Sequence, residues 1–252
     1  MRLFKSEFVC LRSRPPPTPP TFPAQHLRNF EDARNALSAQ YDVIQGILSP
    51  VHDGYGKAGL AAAAHRVAMC EAAASASDWL TVSHWETRQP AWSRTCDTVR
   101  AHHAAVNARA GWPQPPVQVR LLVGSDMLQS FDVPNLWQPE HMRALLADFG
   151  LVVIPRPGVD LDALMARSDT IRPHAANVLV AHEACGYPVS STIVRRLLLS
   201  GQSPRYLVHD RVLDYCLKYG LWAPPAPAPA PASASAAQTE QAGDAKVHAS
   251  GQ

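Results

Sequence analysis

The run Ser190-Ser191-Thr192-Ile193-Val194-Arg195-Arg196 follows a short apolar stretch and opens a helical segment. Hydroxyls at Ser190 and Thr192, with an arginine about one helical turn on, can meet a phosphate group. The free N–H groups of a helix start and the helix dipole favour an anion there. The planar fork of Arg195 matches phosphate oxygens. Capping alone accounts for the two hydroxyls equally well, since Ser and Thr are preferred N-caps. Upstream, Leu121-Leu122-Val123-Gly124-Ser125-Asp126 reads as a buried parallel strand whose carboxyl end meets a ligand. Open α/β sheets place their binding crevice at such ends. Gly124 lets backbone approach a nucleotide closely, and Asp126 can accept from ribose hydroxyls. Further on, Pro134-Asn135-Leu136-Trp137 presents an indole after a proline turn, suited either to stacking on a flat heterocycle or to packing.

These residues need a scaffold, and the hydropathy pattern supplies one. Leu27, Phe30, Ala33 and Leu37 give residues 26–38 one apolar helical face. A strand over 41–48 precedes a loop containing Gly54, Gly56 and Gly59. An alanine-rich helix is expected over 61–74, a strand over 80–85 and a helix over 91–105. A strand over 117–123 and a helix over 139–149 follow, then short strands at 150–154 and 178–181. Further helices are expected after Ser190 and around 211–219. Strands alternating with helices imply a parallel, helix-flanked sheet, and the handedness of crossovers makes it doubly wound. The fold class is therefore α/β, a Rossmann-like doubly wound parallel sheet flanked by helices.

Three regions are expected: an atypical Pro-rich segment over 1–23, one domain over 24–222 and a disordered Ala/Pro-rich tail over 223–252. The tail has almost nothing to bury, and the prolines between Arg12 and Pro23 cannot continue a central strand. A chain of 252 residues can bury a sizeable core. A net charge of +2 gives no nucleic-acid footprint. Five scattered cysteines show neither a Cys-x-x-Cys pair nor metal-ligand spacing, and read as reduced thiols inside a cell. No apolar run reaches membrane-spanning length, and the N-terminus lacks an apolar signal core. The compartment expected is cytoplasmic or nuclear, with an organelle left open.

Three blocks resemble one family. They are Gly46-Ile47-Leu48-Ser49-Pro50-Val51 with Asp53, Tyr55, Lys57-Ala58-Gly59-Leu60 and His65-Arg66-Val67; Leu122 to Phe131 with Pro134-Asn135-Leu136-Trp137 and Phe149-Gly150-Leu151-Val152-Val153; and Val189-Ser190-Ser191-Thr192-x-x-Arg195 with Gly201-Gln202-Ser203-x-Arg205-Tyr206-Leu207-Val208. Together, in this order from about His26 to Trp222, they resemble the eukaryotic nicotinamide/nicotinate mononucleotide adenylyltransferases. The resemblance implies a Rossmann-like nucleotidyltransferase. Its reaction joins the 5′-phosphate of the mononucleotide to the α-phosphorus of ATP and releases pyrophosphate. The nucleophile is already an oxyanion, so positioning and charge stabilisation would suffice, with Mg²⁺ bridging triphosphate oxygens and no dedicated protein ligands.

Carried over position by position, the resemblance gives His26 and Arg195 catalytic roles toward the ATP phosphates. His26, Gly124, Asp126, Ser190, Thr192 and Arg195 would bind ATP. Tyr55, Lys57, Trp85, Leu136 and Trp137 would bind the mononucleotide, with the two indoles flanking its ring. Arg66 and Arg196 read as structural. The Gly54-x-Gly56-Lys57 run is not a Walker A loop, because the first glycine and the hydroxyl after lysine are missing. Two departures stand out. The family's Gly-Ser-Phe-Asn-Pro turn is absent before His26-Leu27-Arg28, where Pro16 to Pro23 lie instead. Phe4 to Leu11 can supply a first strand, but at the wrong spacing to His26. Tyr187 also replaces an asparagine on the adenosine side.

The resemblance implies ATP and nicotinamide or nicotinic acid mononucleotide as partners, and homo-oligomers are common among relatives. Nucleic acid and membrane are not expected partners. An active adenylyltransferase is weighed against a catalytically impaired homologue acting as a nucleotide-binding or chaperone-like protein. A third reading is a related enzyme with another phosphate acceptor, disfavoured by Trp85 and the Pro134–Trp137 block.

Overall fold

Leu121, Leu122 and Val123 are buried on alternate faces of one strand, as a strand covered on both sides by helices requires. The same holds for Leu151 to Ile154 and for Phe8 to Leu11. The computed structural model describes residues 4–13, 25–109, 116–183 and 189–224. In chain order the elements are β1 (Phe4–Ser13), α1 (Gln25–Leu37), β2 (Tyr41–Pro50), α2 (Ala63–Ala74), β3 (Leu80–Val82), α3 (Thr95–Asn107) and β4 (Gln118–Gly124). There follow α4 (Ser125–Ser130), α5 (Pro139–Arg143), β5 (Leu151–Ile154), α6 (Leu161–Arg167), β6 (Val178–Val180), α7 (Ser191–Leu199) and α8 (Asp210–Lys218). The helix expected over 139–149 is α5 continued by a wide π turn over Ala144–Phe149. The short helices α4 and α6 were not anticipated, being too brief for a clear 3.6-residue period.

The six strands lie in the order β3-β2-β1-β4-β5-β6. β2 pairs parallel with β3, and β4, β5 and β6 are parallel neighbours. One face of the sheet packs Val9, Leu11, Leu48 and Val152 against Phe30 of α1, Met69 of α2, Val194 of α7 and Leu213 of α8. The other packs Phe8, Cys10, Leu121 and Val153 against Val99 of α3, Leu145 of the π turn and Leu164 of α6. Helices thus cover both faces of an α/β sheet, the class expected for this sequence.

The first strand corrects the all-parallel expectation. β1 lies at the centre of the sheet and runs antiparallel to both β2 and β4. The N-terminal segment set apart in the sequence thereby contributes a central strand. Its end, Ser13, pairs with Tyr41 at the start of β2. α1 runs back toward that same edge and feeds β2 through residues 38–40, so α1 starts at the opposite, carboxyl edge. The departure from the family before His26 thus goes with a first strand that runs antiparallel to its neighbours.

With β2 and β4 both antiparallel to β1, the five other strands share one direction. The segments following their carboxyl ends leave one edge of the sheet and carry most of the candidate residues. Four cysteines, Cys10, Cys70, Cys96 and Cys216, are free and buried, and Cys185 lies outside the described residues. Burial pushes Cys10 up to about 12 and Cys216 up to about 11, which keeps both as thiols. Among the described residues no helix is long and apolar enough to cross a membrane.

Candidate active site

The loop after β2 owes its shape to one buried cation. Arg66 of α2 is almost fully buried and donates to the carbonyls of Val51 and Ala61. Its Nη1 also lies 3.0 Å from Asp53 Oδ1, an oxygen that accepts from Ala63 N at 2.8 Å. His52 Nδ1 accepts from Gly54 N at 2.9 Å and caps the turn that follows. Arg66 is thus structural, as expected, and what it structures is the loop bearing Tyr55 and Lys57. Tyr55 stacks on Trp92, with ring centroids 6.4 Å apart and an interplanar angle of 29°. Lys57 is exposed.

Trp85 was expected at a strand end, but β3 stops at Val82 and Trp85 lies in the turn beyond. Pairing with β2 covers only Leu80 to Val82. The backbone at Trp85 is fixed from both sides: its N–H donates to Ser83 Oγ at 3.2 Å and its carbonyl accepts from Gln89 Nε2 at 2.8 Å. Next to it Glu86 is fully buried, and Ser49 Oγ donates to Glu86 Oε2 at 3.4 Å. His102 Nε2 lies 3.3 Å from Ser49 Oγ. The His102 ring meets Trp85 edge-on at 6.3 Å and Phe8 at 4.6 Å. Burial pushes the His102 imidazole down to about 4, so it is neutral near pH 7.

Beyond β4, Gly124 precedes α4 and Asp126 stands in its first turn. Asp126 Oδ1 is 3.7 Å from Arg156 Nε. A Cβ at Gly124 would lie 2.5 Å from Asp126 Oδ1 and 3.2 Å from Arg156 Nε, so the bare glycine leaves room for both groups. Arg156 went unremarked in the sequence; the only signal was a cation two residues beyond an apolar strand. Its backbone N donates to Ser125 Oγ at 2.9 Å, tying the β5 end to the β4 end. Trp137 is anchored by Nε1 donating to Ser130 Oγ at 3.0 Å and by an edge-to-face contact with Phe131 at 5.0 Å. It borders a cleft of about 480 Å³ with Phe131, Met142 and Arg167. Leu136 beside it is 58% exposed. β3 and β4 are three positions apart in the sheet, about 14 Å at ordinary spacing. For the two indoles to flank one ring, their loops must lean over β1.

Ser190 is the N-cap of α7, its Oγ accepting from Ile193 N at 3.4 Å. Thr192 is exposed in the first turn. Arg195 bridges its own helix and the Lys57 loop: Nε donates to Ser191 O at 3.4 Å and Nη1 to Gly59 O at 3.0 Å. The fold therefore joins the hydroxyl–arginine motif directly to the Lys57 loop, a contact that 136 residues of separation hid from local pattern. His26 falls in the first turn of α1, but its side chain lies outside the described residues, as does Tyr187. The arrangement is a set of hydroxyl, guanidinium, ammonium and indole groups on segments following the carboxyl ends of β2 to β6, the edge at which α/β sheets bind nucleotides.

Sheet and site define a nucleotidyltransferase-like α/β protein, and the chain matches the family described as cytidylyltransferase-like over residues 22–197. It is 37% identical over 234 residues to nicotinamide/nicotinic acid mononucleotide adenylyltransferase 1 of Bos taurus, covering 79% of this chain and 83% of that protein. It is 35% identical over 205 residues to the nicotinamide/nicotinic acid mononucleotide adenylyltransferase of Arabidopsis thaliana, covering 81% of this chain and 85% of that one. To the protein of the same name from Oryza sativa subsp. japonica it is 35% identical over 209 residues, covering 81% and 82%. The chain belongs to the cytidylyltransferase-like family, on the branch of these mononucleotide adenylyltransferases.

Proposed function

We infer that the chain transfers the adenylyl group of ATP to nicotinamide or nicotinic acid mononucleotide, forming NAD or its deamido form and pyrophosphate. The observation that carries this reading is similarity to three adenylyltransferases over about four-fifths of each chain. The impaired-homologue reading finds no support in these relatives and is not retained.

In the proposed site, ATP lies over β4 and the start of α7. Asp126 accepts from ribose hydroxyls, with Arg156 holding its carboxylate. Ser190, Thr192 and Arg195 contact the triphosphate through hydroxyls and the guanidinium fork. His26, at the start of α1, donates to the phosphates as pyrophosphate leaves. Lys57 attracts the mononucleotide phosphate from an exposed loop, and Tyr55 borders that side. Trp85, Leu136 and Trp137 enclose the pyridine ring. The attacking phosphate oxygen needs no general base, so the work left to the protein is alignment and neutralisation of charge.

Among the described residues no three His, Cys, Asp or Glu side chains converge. A Mg²⁺ ion would be carried in on phosphate oxygens and water, with no dedicated protein ligand assigned. Bound there, the ion supplies neutralisation of the triphosphate charge. The test is NAD formation by the purified chain from ATP, nicotinamide mononucleotide and Mg²⁺, coupled to alcohol dehydrogenase. Turnover is the expected result. No turnover, in a folded protein that binds ATP, overturns the reading.

A further inference from the structure

The carbonyl oxygen of Gly59 accepts two hydrogen bonds from distant parts of the chain. Arg195 Nη1, on α7, donates at 3.0 Å, and Trp222 Nε1, just beyond α8, donates at 3.3 Å. A carbonyl oxygen has two lone pairs, so its capacity is filled. Gly59 stands at φ +76°, and a Cβ there would lie 2.7 Å from Arg195 Nη1. The left-handed backbone there favours glycine, and a Cβ would push the Arg195 fork aside. Trp222 itself has φ +56°, a costly conformation for a bulky side chain that the surroundings must hold in place. Its ring packs against the core face formed by α1, α2, α7 and α8. A strained backbone thus presents an indole N–H to the loop that carries Lys57.

We propose that Trp222 is a positioning residue for the mononucleotide side of the site: it keeps the Lys57 loop anchored when Arg195 turns to the triphosphate. The proposal rests on the adenylyl-transfer reading and on Arg195 as its phosphate contact. Arg195 and Trp222 share one acceptor, so the loop has a donor that ATP recruits and a donor that ATP leaves alone. With Trp222 present, ATP binding does not release the loop. Without its N–H, the loop depends on Arg195, and the two substrates come to oppose each other.

Trp222→Phe keeps an aromatic ring and removes the donor. Its KM for nicotinamide mononucleotide is expected to rise about three- to tenfold at saturating ATP, the loss of one hydrogen bond, and clearly less at low ATP. kcat stays within about twofold, and the KM for ATP stays near wild type at low mononucleotide but rises by a like factor at saturating mononucleotide, because coupling between two bound substrates is reciprocal. Hydrogen exchange at residues 57–62 is expected to quicken in the variant while the sheet exchanges as in wild type. A KM rise independent of ATP, unchanged loop exchange or a variant that fails to fold would each overturn the proposal in favour of plain packing. If the wild-type chain makes no NAD, the functional reading fails on its own. Loop exchange then decides the anchor alone: faster exchange confined to residues 57–62 supports it, and unchanged exchange overturns it.

Discussion

Arg195 shows how one side chain serves two loops, donating to its own helix at Ser191 and across the site to Gly59. In the proposed site, removing it would delete a charge-assisted contact to the triphosphate. Arg195→Ala is expected to raise the KM for ATP or lower kcat by roughly tenfold or more; unchanged steady-state kinetics would remove Arg195 from the site. Trp137 is proposed for the other substrate. Trp137→Ala is expected to weaken mononucleotide binding by about 1 kcal/mol or more through lost stacking, with ATP affected far less. Equal loss for both substrates, read by titration calorimetry, would make the indole a packing residue held by Ser130 and Phe131. Residues of this kind could be proposed from the sequence because the signals are local: hydroxyls and an arginine within one turn, an indole after a proline. Arg156 could not, because its meaning comes from Asp126 on the neighbouring strand's end. The fixed geometry of Trp85 was equally hidden, since it depends on Ser83, Gln89 and the His102 ring.

At the scale of elements, two joints support the site from below. His102 of α3 contacts Phe8 of β1, Ser49 of β2 and Trp85 beyond β3. Its imidazole is pushed down from 6.5 to about 4 in the folded chain by burial. Between those values the unfolded chain binds a proton that the folded chain does not, so stability is full above about pH 6.5 and falls as pH drops toward 4. The difference corresponds to roughly 3 kcal/mol. His102→Gln should flatten this part of the stability–pH curve, measured as urea midpoints at pH 4.5 and 7; a parallel curve would deny His102 the effect. The second joint is Gly150, which ends the π turn at φ +80°. A Cβ there would strike Arg120 Nη1 and lie 2.7 Å from Asn177 O. Arg120 donates to that same carbonyl at 2.9 Å, and Asn177 Nδ2 bonds Leu146 O at 2.8 Å. Gly150→Ala is expected to cost about 2 kcal/mol or more, visible as a lower thermal midpoint, because the methyl breaks a clasp between β4, β6 and the π turn.

For the molecule as a whole, short apolar runs located the five strands after Leu37 and made the helix-covered sheet readable, while Phe4 to Leu11 could be read only as a replacement first strand at the wrong spacing. What they left unread was direction. Phe8-Val9-Cys10-Leu11 is apolar on both faces, and such a run fits a central strand in either orientation. The turn that would have decided direction is the one this chain lacks, so pairing with β2 and β4 decides it instead. The reversed strand should be indispensable. It separates β2 from β4, and Phe8, Val9, Cys10 and Leu11 are each at most 1% exposed. Deleting residues 1–13 would leave two strand edges unpaired and forfeit burial worth about 1.5–3 kcal/mol for each large side chain. Against a total stability of about 5–15 kcal/mol, that loss is close to complete. We expect the shortened protein to show no cooperative thermal transition by circular dichroism and no NAD formation. Removing residues 225–252, which are composed mainly of Ala, Pro, Ser and Gln, should leave both unchanged. A cooperative melt and wild-type turnover without residues 1–13 would mean that β2 and β4 can close on each other. The antiparallel strand would then be an addition to the sheet rather than its centre.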